Sequence, residues 1–114
     1  MDNLLIFNKE AALNRMEGDE ELLSEMISIF LEDYPNQLEA VQAAIDVGNA
    51  EDLANAAHAF KGSVGNFGAE RTLEAARQLE LLAKENKSDQ WSDAWSLLRD
   101  EMSQLEPQLG ALVQ

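Results

Sequence analysis

The chain carries a single histidine, His58, in the run Ala54-Asn55-Ala56-Ala57-His58-Ala59-Phe60-Lys61-Gly62-Ser63-Val64-Gly65. In its neutral form an imidazole offers one ring nitrogen with a free lone pair, a competent nucleophile. Lys61 follows three residues later, and an ammonium can hold phosphate oxygens as a point charge. The pairing suits phosphoryl capture. A phosphorylated side chain adds about two negative charges to a chain already at −14, and a cation one turn away offsets that locally.

Whether His58 can do this depends on the helix that carries it. Gly48 ends the preceding segment, Asn49 can cap, and Asp52 takes the third position of a helix predicted over 50–66. At ~100° per residue from Leu53, Ala56 falls at ~300°, Ala57 at ~40°, Phe60 at ~340° and Val64 at ~20°, one apolar stripe. His58 falls at ~140°, off that stripe and toward solvent. Ala54, Lys61, Gly62 and Gly65 share its side of the helix. Three of these four have almost no side chain, and glycine inside a helix costs ~1 kcal/mol relative to alanine. Close approach of another body to the imidazole would explain such a surface. The competing explanation is that Gly62 and Gly65 only loosen the helix end, which leaves Lys61 unaccounted for.

The elements that must hold this helix read the same way. Prolines are two and apolar positions recur at three and four throughout, so an all-α chain is predicted. A short leading helix covers 8–16 and stops at Met16-Glu17-Gly18; Asp19 then caps a segment over 20–47, either one helix kinked at Pro35 or two in line with Asp33 as the second cap. Asn66-Phe67-Gly68 turns the chain into a helix over 69–86. Ser88 is the expected cap of the last helix, 89–112, with a kink or fresh start at Pro107. Four long amphipathic segments joined by short turns predict one domain, 1–114: an antiparallel up-down-up-down four-helix bundle with a short extra N-terminal helix. The aromatic and methionine stripes are core in this reading.

Composition narrows the function. With no cysteine the chain has neither disulfide nor thiolate metal site, and no apolar run approaches the ~20 residues of a membrane span. A cytoplasmic setting and a monomer are the expectations. The acidic balance argues against nucleic acid and anionic membrane as partners. Positions 58–87 nevertheless hold five of the eight basic residues against four acids, whereas the other 84 residues hold 18 acids and three bases. That near-neutral island surrounds the histidine.

Ala57-His58-Ala59-Phe60-Lys61-Gly62-Ser63, then Asn66-Phe67-Gly68-Ala69, Leu73 and Leu79-Glu80, closely resembles the signature of bacterial histidine phosphotransfer (HPt) domains. Gly18-Asp19-Glu20-Glu21-Leu22-Leu23, Phe30 and Pro35 resemble the same family upstream. The resemblance implies a bundle that relays a phosphoryl group between aspartates of two receiver domains, as in hybrid sensor-kinase phosphorelays. It implies His58 as the phosphorylated residue, Lys61 as the phosphate's charge partner and Gly62 as clearance for the receiver. It also implies that Mg²⁺ arrives with the receiver and that the domain binds no cofactor or metal of its own. Family members often carry a glutamine oriented toward the histidine where this chain has Glu80. A carboxylate there repels phosphate unless Arg77 or Lys84, a turn away on either side, neutralises it. Leu5, Phe7 and Met16 are the apolar candidates for receiver contact or for sealing the bundle end.

Other readings fare worse. A carboxylate-bridged metal site would need two inward Glu-x-x-His pairs. Nothing resembles a glycine-rich nucleotide loop, so kinase or ATPase activity is not expected. A non-catalytic adaptor that docks a receiver without transfer is the alternative that remains.

Overall fold

The computed structural model describes residues 3–113, which are helical with no strand among them. Five α-helices follow in order: α1 Lys9–Arg15, α2 Glu20–Val47, α3 Ala50–Val64, α4 Glu70–Lys84 and α5 Trp91–Gly110. Two single 3₁₀ turns, Gly65–Phe67 and Ser88–Gln90, lead into α4 and α5. Each long helix packs on the next, and α5 closes the ring against α2.

Local chemistry sets the ends. Asp19 accepts from the Leu22 amide at 3.0 Å and Asn49 from the Asp52 amide at 2.9 Å, each satisfying an orphan donor of the first turn. Gly48 ends α2 in the left-handed region at φ 71°. Of the two arrangements expected around Pro35, the single helix is found. α2 at 28 residues is about 42 Å long at ~1.5 Å per residue, which matches the 41 Å long axis of the molecule. One expectation fails. Ser88 caps nothing; it opens a 3₁₀ turn, and α5 starts at Trp91 without a side-chain cap. Of the two arrangements expected at Pro107, the fresh start is not found, because α5 runs through it to Gly110.

The core holds Leu23, Ile27 and Phe30 from α2, Leu53, Ala57, Phe60 and Val64 from α3, and Trp95, Leu98 and Leu105 from α5. Phe30 joins the α2–α3 seam, with ring centroids 6.1 Å from Phe60 and 5.2 Å from Phe67. Rings at these separations gain beyond area burial. Ala57 and Phe60, both fully buried, fix the rotation of α3 about its axis and with it the direction of His58.

The segment before α1 is strapped across the α3–α4 turn. The Asn8 amide donates to the Gly68 carbonyl and the Arg71 amide to the Leu5 carbonyl, while Glu70 accepts from the Leu5 amide at 3.1 Å. A Cβ on Gly68 would stand 2.5 Å from the Asn8 carbonyl oxygen, and its φ is 64°. Two independent reasons therefore demand glycine there.

Candidate functional site

The buried stripe of α3 turns its opposite side outward, and His58 emerges with its side chain 68% exposed. The group that meets it comes from α4. Glu80 is one of three buried polar residues among those described, and three cationic or hydrogen-bearing groups converge on its carboxylate. His58 Nδ1 lies 3.0 Å from Oε2, Lys84 Nζ lies 3.0 Å from the same oxygen, and Lys61 Nζ lies 2.7 Å from Oε1. Burial pushes the carboxyl up, but hydrogen bonds from Lys61, Lys84 and His58 outweigh it and lower it to about 2.

That ionisation fixes the imidazole. A carboxylate only accepts hydrogen bonds, so the 3.0 Å contact requires the proton on Nδ1. The other nitrogen, Nε2, then carries the lone pair. A nucleophilic nitrogen on an exposed ring, beside two ammoniums that already neutralise the neighbouring carboxylate, can receive an anionic electrophile.

The positions expected around His58 separate into groups. Lys61, Glu80 and Lys84 are brought together, and they line a shallow open hollow with Arg77 and Leu81. Arg77 borders the site but does not neutralise Glu80, contrary to one of the two expectations. Its guanidinium is taken by Glu74 through bonds of 2.9 and 2.7 Å, which raise its own ionisation further and lower Glu74 to about 2. An i,i+3 partner on the same helix outcompeted a carboxylate already held by two lysines.

Gly62 is exposed inside α3, and a Cβ there would meet nothing within 4 Å. No packing within the chain requires that glycine. Gly65 differs: it is the C-cap of α3 and opens the 3₁₀ turn, and a Cβ there would make an ordinary 3.7 Å contact with Leu73. The helix-end explanation holds for Gly65 and not for Gly62. Ala54, one turn before His58, is partly buried against the core.

Leu5 is bound at the start of α4, ten residues or ~15 Å along that helix from Glu80. Phe7 and Met16 pack against the core, which suits sealing of the bundle end. A larger hollow lies elsewhere, lined by Leu4, Arg71, Glu74, Gln78, Leu97 and Glu101.

Sequence reasoning undervalued two positions. Measured from Leu79 on α4, Ala76 falls at ~60°, Leu73 at ~120° and Glu80 between them at ~100°, so a wheel of that helix places the carboxylate at the edge of the apolar arc. Leu81, 40% exposed beside the lysines, sits one turn from both Arg77 and Lys84 and was equally readable.

A family model described as Hpt domain matches residues 25–108. The fold is similar to that of the crystal structure of histidine-containing phosphotransfer protein B (HptB) from Pseudomonas aeruginosa PAO1. There the TM-score is 0.85 at 21% identity, covering 93% of this chain and 92% of that one. It is also similar to the HPT domain of an Hpt sensor hybrid histidine kinase from Shewanella. In that case the TM-score is 0.83 at 19% identity, covering 96% and 95%. No curated protein matches the sequence. At such identities the structural likenesses concern the fold, and both neighbours are helical bundles of the same architecture.

Proposed function

Because this chain belongs to the Hpt domain family, which serves histidine phosphotransfer in two-component phosphorelays, we propose that His58 accepts a phosphoryl group from a receiver-domain aspartate and passes it to the aspartate of a response regulator. The observation that carries this reading is the His58–Glu80 contact, which leaves Nε2 as the free nucleophile on a 68% exposed ring. Lys61 supplies charge to the incoming group, and the missing side chain at Gly62 lets the receiver's acceptor site approach. Rate in this scheme comes from positioning within the complex. Mg²⁺ and the acidic residues that hold it belong to the receiver. No described helix is long and apolar enough to cross a membrane.

The test is a transfer profile. A panel of phosphorylated receivers is mixed with the full chain, and the label on the chain is followed with time. Fast labelling by a preferred receiver is expected. A receiver that binds without ever transferring label would replace the proposal with the adaptor reading.

A further inference from the structure

We propose that the hollow between α4 and α5 is a docking site for a protein segment that presents an arginine between apolar side chains, and that it works independently of His58. The hollow has a volume of about 440 Å³. Its walls are Arg71, Glu74, Ala75 and Gln78 from α4, Leu97 and Glu101 from α5, and Leu4 from the N-terminal segment. Counted at ~100° per residue from Glu80, those four α4 residues lie between ~120° and ~220° around the helix. The phosphotransfer groups and the hollow therefore occupy different sides of α4.

A single exposed leucine is ordinary on a protein surface, but Leu97, 49% exposed, shares a concave wall with the buried Ala75. Leu4 is held beside them because the Leu5 amide donates to Glu70 and the Leu5 carbonyl accepts from the Arg71 amide. The polar part of the site is acidic. Asp93 and Asp100, both exposed, lie four residues before and three after Leu97, on its side of α5. Neither has an ion-pair partner among the described residues. The two bases nearby are already bonded, Arg77 to Glu74 and Arg71 to Glu101. Glu101 is buried, and both Arg71 donors go to its Oε2, at 3.2 and 3.0 Å. Its Oε1 is closed off from solvent and accepts no hydrogen bond among the described residues. A buried acceptor left without a donor is costly. An arginine from outside supplies the donor, reaching Oε1 as the 39% exposed Arg71 side chain moves aside. Asp93 and Asp100 draw that arginine in, and Leu97, Ala75 and Leu4 receive its apolar neighbours. Such a charge pattern selects a basic segment and repels an acidic one.

Titration of the ¹⁵N-labelled full chain with the peptide acetyl-Ala-Leu-Arg-Leu-Ala-amide tests this. Saturable amide shifts should be confined to residues 71–78 and 94–101, with the ring signals of His58 unmoved. The counterpart peptide with glutamate in place of arginine should bind about tenfold more weakly or worse. Leu97→Ser, at an exposed position where the core is untouched, should weaken the arginine peptide about tenfold through lost apolar burial. Shifts scattered over the acidic surface, an affinity unchanged by Leu97→Ser, or the absence of saturation would overturn the proposal. Movement of the His58 ring signals would place the peptide on the phosphotransfer face and overturn it as well. None of these readouts depends on phosphoryl transfer, so their failure leaves the phosphotransfer reading untouched.

Discussion

The ammonium of Lys61 lies 2.7 Å from Oε1 of Glu80, so the cation one turn along α3 from His58 is engaged by a carboxylate before any phosphoryl group arrives. A phosphoryl group on Nε2 would compete for that ammonium, and Lys84, 3.0 Å from the other oxygen, keeps Glu80 paired while it does.

Lys61→Ala should therefore slow transfer without unfolding the bundle. Loss of a dedicated charge-stabilising donor costs ~10²–10³ in rate, and Lys84 can cover part of it, so a fall of about tenfold is expected. The stability cost should be about 1 kcal/mol, below the ~3–5 kcal/mol of a fully orphaned buried charge. Stopped-flow transfer and urea unfolding check both numbers; an unchanged rate removes Lys61 from the mechanism.

Gly62 separates docking from folding. With open space where its Cβ would go, Gly62→Ala should stabilise α3 by ~1 kcal/mol, a rise of ~4–8 °C in the melting midpoint. Gly62→Gln should fold as well yet bind the receiver poorly. Titration calorimetry against the preferred receiver reads the second effect, and undiminished affinity would show that the bare face is not a clearance.

Glu80 makes stability depend on acid. Its carboxyl is lowered from 4.5 to about 2 in the fold, so the stabilisation is complete above the unfolded value and is lost as pH falls through the folded one. Converted by linkage this is ~3 kcal/mol. The stability difference between the parent and Glu80→Gln should shrink by about that amount between pH 5 and pH 2, with Glu74, also lowered, cancelling because both proteins contain it. Denaturant unfolding across that range measures it; a difference independent of pH would contradict the ion cluster.

Much of this architecture was legible because helices write their burial into spacing. The stripe Leu53, Ala57, Phe60, Val64 was readable with no coordinates, and it alone turns His58 outward. Asp19, Gly48 and Asn49 announce helix ends through chemistry that acts within four residues. Ser88 misled because a good capping residue does not compel a helix to start at it when the chain can take a 3₁₀ turn first. Pro107 does not restart the helix, because a lost backbone hydrogen bond three residues from a helix end is a small cost against the burial of Leu105 and Leu109. The choice of Lys61 and Lys84 as partners of Glu80, with Arg77 diverted to Glu74, depends on distances between helices, which no single-helix pattern contains.

One experiment tests the role of His58 most directly. The full chain and His58→Gln are each mixed with a phosphorylated receiver, and a second, unphosphorylated receiver is added afterwards. The parent should take up label and then surrender it to the second receiver, while His58→Gln, folded by circular dichroism, should do neither. Persistent labelling of His58→Gln would contradict the assignment of the phosphoryl group to that histidine.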